Sequence, residues 1–275
     1  MLNTLSYISD IVTYMKIPLI VGLLLSVTAA MIGVILVLKQ YSMIGDGLSH
    51  VGFGATAVAL AIGTQPLYIS LPVVVVAAYI LIRLGENKKT HTDAAIGLIS
   101  SSALAIGFLA GNLSDGFSSD INSYMFGSIT TATVTELGYI LPISLAIIIL
   151  FIFTYNRIFA VTFDENFAKA SGMNTRLYNM IFALSTAIIV VIGIKVMGTL
   201  LISSLIIFPA LTSMRLFYNF KKVVVSSVII SILSFCIAFL LFSRYSSAAS
   251  IVLVNLAFFI VAAIYSFIMK KLGKR

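Results

Sequence analysis

Asp46 and His50 stand four residues apart in the stretch YSMIGDGLSHVGFG, which opens at Tyr41 and leads into an apolar segment. On a helix this spacing places both side chains on one face, about a turn apart. A carboxylate and an imidazole so arranged are ligands that zinc, manganese and ferrous iron all accept. Two structural readings compete with that chemistry. Asp46 can cap a helix start, and His50 can bond to a neighbouring helix. Ionisable groups are costly in lipid, so the surroundings decide how much weight the chemistry carries.

Those surroundings are a membrane. The 275 residues are 60% hydrophobic and 9% charged, with a mean hydropathy of +1.14. Soluble domains carry roughly 25% charged residues, so a water-soluble core cannot absorb this chain. Apolar runs long enough to cross a bilayer fall near 17–38, 45–63, 67–84, 94–111, 137–155, 177–194, 196–214, 223–243 and 247–269. The second run and the close pair 177–194 and 196–214 are the weakest, so the expectation is eight or nine helices. The fold class is all-α and polytopic, a single transmembrane domain over 1–275.

The distribution of basic residues gives an orientation. One set of alternate connections and the C-terminal tail collect Lys39, Arg83, Lys88, Lys89, Arg157, Lys169, Arg176, Arg215, Lys221, Lys222, Lys270, Lys271, Lys274 and Arg275, which is 14 of the 17 Lys and Arg. The other side receives Lys16, Lys195 and Arg244. By the positive-inside rule the first set is cytoplasmic, with the N-terminus outside and the C-terminus inside. The net charge of +8 is then a topology signal, and no nucleic-acid partner is expected. No cleavable signal peptide is expected at the N-terminus, which lacks a basic stretch ahead of an apolar core. Residues 1–16 read as an external interfacial helix. Cys236, the single cysteine, reads as a small core hydrophobe.

Two connections exceed simple turns. The external one, from Gly111 to Glu136, is rich in Ser, Thr, Asp and Gly and has room for a short or re-entrant helix. In the cytoplasmic one, around 160–175, Asp164 to Ser171 reads as a short helix. Asp164 and Glu165 sit at its positive end, and Gly172 is placed to stop it.

Several chemistries are missing. No phosphate loop of the form G-x-x-x-x-G-K-[ST] and no H-E-x-x-H motif occurs, and two histidines, His50 and His91, cannot build a histidine-rich centre. The chain is not expected to be an enzyme. A helical bundle with few, well-placed polar groups is suited to transport.

At this point a family resemblance enters. GDGLSH after LVLKQYSMI, TDAAIGLISSSALAIG from Thr92, NSYMFGSI from Asn122, DENFAKASGM from Asp164, VMGTLLISSLIIFPALTSMRL from Val196 and SIVLVN from Ser250 resemble, in order, motifs of the permease subunits of zinc- and manganese-type ABC importers. One departure lies in SRYSSAAS, where Arg244, Ser246 and Ala248 replace that family's usual acid and Pro-x-Gly. The resemblance implies a fold like the cobalamin- and siderophore-type permeases with fewer helices. It also implies a homodimer in the bacterial cell membrane, working with an ATPase subunit and an extracellular metal-binding lipoprotein. No permanently bound cofactor is implied; zinc, manganese or iron is cargo.

On that reading Asp46 and His50 are pathway ligands, and a twofold axis would supply a second pair. Asp164, Glu165, Phe167, Ala168 and Gly172 form the ATPase-coupling segment, with Phe167 and Ala168 facing the partner. Tyr124, Phe126 and Gly127 form an external gate, or else pack a re-entrant segment. Glu136 is either a helix-entry acid or a further metal ligand. Asp115 and Asp120 are loop acids, His91 is a solvated loop residue, and Arg215 is an interfacial anchor. Alternatives are a permease for a haem or siderophore chelate and, from another class, an ion-coupled secondary carrier using Asp46.

Overall fold

The computed structural model of the chain describes residues 15–86, 92–113, 124–125, 127, 129–242 and 247–271. Of the expected interfacial helix 1–16, residues 1–14 lie outside them, as do His91, Asp115, Asp120, Phe126, Arg244 and Ser246, and Lys16 belongs to the first membrane-spanning helix instead. Among the described residues every regular element is helical: α1 (Lys16–Leu38), α2 (Ser42–Ala61), α3 (Pro66–Glu86), α4 (Thr92–Leu113), a 3₁₀ turn (Ile129–Thr131), α5 (Val134–Phe163), α6 (Glu165–Ala170), α7 (Thr175–Met197), α8 (Thr199–Leu216), α9 (Phe220–Phe242) and α10 (Ser247–Lys271).

Eight of these helices are long and apolar enough to cross a membrane by themselves, α2 being the long one that is not. Asp46, His50 and four glycines dilute its hydropathy. Packing carries it alongside its neighbours all the same. Tyr41, at its start, meets Gly85 near the end of α3, and Gly52 meets Val74 midway, so α2 and α3 run antiparallel. Gly47 faces Ile96 and Ser100 while Gly54 faces Ala103, so α2 and α4 run parallel. Twenty residues give α2 about 30 Å of length, the thickness of the hydrocarbon core. It is wrapped in protein rather than lipid, which is why its own composition can be polar.

α1, α7 and α8 form the centre of the bundle, with Leu25, Ile189, Leu201 and Leu205 fully buried. The outer faces of α4, α5 and α10 are apolar and exposed, as at Leu98, Phe153 and Phe267. Hydrocarbon, which has no hydrogen bonds to offer, is the solvent such faces require. The protein is a multi-pass membrane protein.

α5 outruns the expected segment 137–155 and reaches Phe163. Asn156 and Arg157 make the run look interrupted, but Tyr155, Phe159 and Phe163 recur every four residues. Their rings all pack around Phe220 of α9, at centroid distances of 5.2, 5.3 and 5.9 Å. That aromatic stripe holds the last two turns of α5 against α9 and delivers the chain to α6 at a fixed place.

The close pair of apolar runs is resolved as two helices divided by one residue. Gly198 ends α7 and begins α8 at φ 84°, ψ 164°, a region open essentially to glycine alone. The reversal at Gly198 turns the chain back through the bundle.

Candidate functional site

Asp46 and His50 occur on the second and third turns of α2, near the end of the molecule that carries Lys39. His50 Nε2 lies 3.5 Å from Asp46 Oδ2, an ion-pair distance but a long one for a hydrogen bond. The two side chains keep 28% and 42% of their surfaces accessible, respectively, so the pair opens on one side. His50 Nδ1, by contrast, is buried with no hydrogen-bond partner.

α8 contributes the back wall. Ser203 lies beside the Asp46 carboxylate. Its hydroxyl donates to the Ser49 hydroxyl at 3.1 Å or, alternatively, to the Thr199 carbonyl one turn earlier at 2.9 Å. Ser49 donates in turn to Gly45 O. Gly45 itself packs on Ile206, and a Cβ there would sit 3.3 Å from that side chain. Small residues thus bring α2 and α8 together at the carboxylate. Ser203 was missed in the sequence, because a serine in an apolar helix ordinarily bonds back to its own carbonyls, and nothing local marks one that also reaches across.

No group of three or more His, Cys, Asp and Glu side chains converges among the described residues. One chain therefore offers two strong ligands for a divalent ion, with a serine hydroxyl beside them. Asp46 makes no side-chain cap at the start of α2, whose N-cap residue is Tyr41.

At the opposite end, Glu136 has both oxygens engaged. Oε2 accepts from the Thr133 amide at 2.9 Å in a capping box, and Oε1 lies 3.5 Å from Lys195 Nζ. Lys195 also donates to the Tyr139 hydroxyl at 3.0 Å. This clamp fastens the first turn of α5 to the last turn of α7, and a helix-entry role accounts for the acid. Tyr124 packs against the core and against Phe53 and Ala57 of α2. Gly127 adopts φ 66°, and a Cβ there would fall 1.8 Å from Met197 O. Thr199 donates to Met125 O at 3.0 Å, and Ile129 is fully buried. The segment bearing Tyr124 and Gly127 is thereby pinned onto the α7–α8 reversal.

At the Lys39 end, the short helix is present as read. Asp164 caps it by accepting from Phe167 N at 2.9 Å, and Gly172 follows it at φ 79°. Glu165 pairs with Lys169 at 2.8 Å. Partial burial pushes its carboxyl up, but the Lys169 hydrogen bond and the Lys39 and Lys169 charges outweigh this and hold it below the usual carboxylate range. One expectation fails. Ala168, assigned with Phe167 to a partner-facing surface, is fully buried, whereas Phe167 is 63% exposed. On a six-residue helix, neighbouring positions point about 100° apart, and Ala168 takes the inward one.

Known proteins resemble this chain throughout its length. The high-affinity zinc uptake system membrane protein ZnuB of Buchnera aphidicola subsp. Acyrthosiphon pisum is 31% identical over 214 residues, spanning 78% of this chain and 82% of that one. The manganese transport system membrane protein MntC of Halalkalibacterium halodurans is 24% identical over 257 residues, spanning 92% and 88%. Among solved structures, PsaBC from Streptococcus pneumoniae in complex with Fab shares the fold with a TM-score of 0.82 at 24% identity, covering 94% of this chain and 95% of that one. Residues 12–266 match the ABC 3 transport family, and the chain belongs to that family.

Proposed function

We propose that the protein is the membrane permease of an ABC importer for divalent transition-metal ions, and that Asp46 and His50 are ligands on the translocation path. The observation that carries this reading is the 3.5 Å between Asp46 Oδ2 and His50 Nε2. Two donors about 2.1 Å from one tetrahedral ion sit roughly 3.4 Å apart, so the pair is already spaced for a shared cation. Its open side is where further ligands must enter. A twofold-related copy would bring a second Asp46 and His50 and complete four ligands. Incomplete ligation within one chain suits transport, since a site that binds too tightly cannot release its ion.

The remaining assignments follow from this reading. The end bearing Lys39, Arg157 and Arg215 faces the cytoplasm, and the Glu136–Lys195 end faces outward. α6 docks on a separate ATPase through Phe167, with Asp164, Glu165 and Gly172 shaping the helix. A binding protein outside delivers the ion at the segment of Tyr124 and Gly127. Relatives named for zinc and for manganese support the class of cargo without choosing between them.

The test is metal accumulation in bacteria lacking their own importers and supplied with this permease, its ATPase and its binding protein, with zinc, manganese and iron counted together. Accumulation that disappears with a hydrolysis-defective ATPase is expected. Accumulation that persists without any ATPase would make the protein a secondary carrier and overturn the reading.

A further inference from the structure

A single residue separates α1 from the helix that carries Asp46 and His50. Lys39 is the C-cap of α1, Tyr41 is the N-cap of α2, and Gln40 lies between them. Tyr41 N donates to Leu36 O at 2.7 Å and Gln40 N to Val37 O at 3.1 Å. These are the paired bonds of a Schellman ending, whose left-handed position is usually a glycine. Here it is Gln40, at φ 61°, the one non-glycine residue with positive φ among the described residues. A left-handed glutamine persists only where its surroundings hold it.

Two neighbours hold this corner. The Tyr41 ring lies against Gly85 of α3, where a Cβ would come 2.6 Å from Tyr41 Cε1. On the other side Lys39 donates to Asn179 Oδ1, and Asn179 is buried on the second turn of α7. Lys39 also shares one cleft with Val161 and Thr162 of α5 and Tyr178 of α7. Those positions bracket α6, since Thr162 comes just before its cap Asp164 and α7 opens at Thr175 just after it. α6 is itself seated on the bundle through the fully buried Ala168. Glu165 of α6 lies beside Thr175, and the charge of Lys39 acts on it. Lys39 therefore stands where both ends of the α6 segment meet the α1–α2 corner. From Tyr41 to Asp46 the chain is continuous helix, about 7.5 Å along the axis, so a shift of the corner carries the carboxylate with it.

On the reading that α6 docks the ATPase and that Asp46 and His50 hold the ion, we propose that Lys39 is a positioning residue for transport. Through Asn179 on one side and the Gln40 corner on the other, it ties the docking segment to the ligand helix. Movement of α6 then reaches Asp46 and His50 without passing through the rest of the bundle.

The test is reconstitution of the permease with its ATPase and binding protein in liposomes, counting zinc or manganese ions moved for each ATP hydrolysed. Uptake by the unaltered complex that ignores a hydrolysis-defective ATPase would remove the importer reading, and this proposal with it. Given ATP-driven uptake, Lys39→Met should assemble and hydrolyse ATP at the wild-type rate, with ions per ATP lowered at least about fivefold, the low end of coupling between sites. Asn179→Leu removes the same bond from α7 and should match it, and the double variant should fall no further. Lys39→Arg keeps a donor for Asn179 and should keep most of the yield. Lys271→Met, which removes the same charge from the last turn of α10, should keep all of it. A wild-type yield in Lys39→Met, losses that add in the double variant, or hydrolysis and uptake falling in equal proportion would overturn the proposal. Failure of both single variants to assemble would overturn it as well, since the bond would then serve folding alone.

Discussion

The hydroxyl of Ser203 on α8 lies 3.1 Å from that of Ser49 on α2, one residue before His50. The contact couples the helix that carries the proposed metal ligands to the helix that begins at the Gly198 reversal. A movement of α8 therefore reaches Asp46 and His50 directly. Ser203→Ala should cost about 1 kcal/mol of stability yet lower the initial rate of metal uptake severalfold at matched expression. Uptake at the wild-type rate would show that the hydroxyl only ties helices together.

The Glu136–Lys195 pair offers a discrimination between clamp and ligand. Glu136→Gln keeps the capping geometry, since Gln serves at that position as well, but strips the charge facing Lys195. A loss on the order of 1–2 kcal/mol is expected, below the fully buried limit because Lys195 keeps 30% of its side chain accessible. Adding Lys195→Met should recover most of it in a double-mutant cycle read by thermal unfolding. If Glu136 were instead a gate ligand, the double variant would regain stability without regaining uptake.

Gly127→Ala addresses the pinned segment. Left-handed backbone at a non-glycine residue costs about 1–3 kcal/mol, and the added methyl would strike the Met197 carbonyl. Uptake should be abolished and protease cleavage between α4 and α5 enhanced. Unchanged proteolysis would mean that the segment does not depend on this contact.

Glu165 gives a pH dependence with a definite sign. Its folded carboxyl lies below the ordinary 4.5, so ionisation favours the folded state. That contribution is complete above about pH 4.5 and fades as the pH falls toward the folded value. Thermal unfolding in detergent should show wild type more stable than Glu165→Gln near neutral pH, with the gap closing below about 4.5. The margin is small because the pair is largely solvated. A gap that widens on acidification would contradict the assignment.

Much of this architecture was legible from residue order. The short helix at 165–170 followed from an acid cap and a glycine stop, both local signals. The closeness of Asp46 and His50 followed from their spacing, while their reading as metal ligands came from the family resemblance and is what we propose. What escaped was information held between helices. α2 reads as a doubtful crossing because hydropathy sees only its own residues, whereas its neighbours supply the apolar surface. The last turns of α5 depend on Phe220, more than fifty residues away. Ala168 could not be assigned a side from a six-residue helix, and Lys195 read as an outlier of topology until Glu136 appeared beside it.

The most direct test of the central claim is the initial rate of zinc, manganese and iron uptake by complexes carrying Asp46→Ala or His50→Ala, with assembly verified by co-purification of the ATPase. A fall of about tenfold or more in each, with assembly intact, is the predicted result, since losing one ligand from a four-ligand site commonly costs at least 1.4 kcal/mol. Wild-type rates in both variants would remove the pair from the path and return Asp46 and His50 to structural roles.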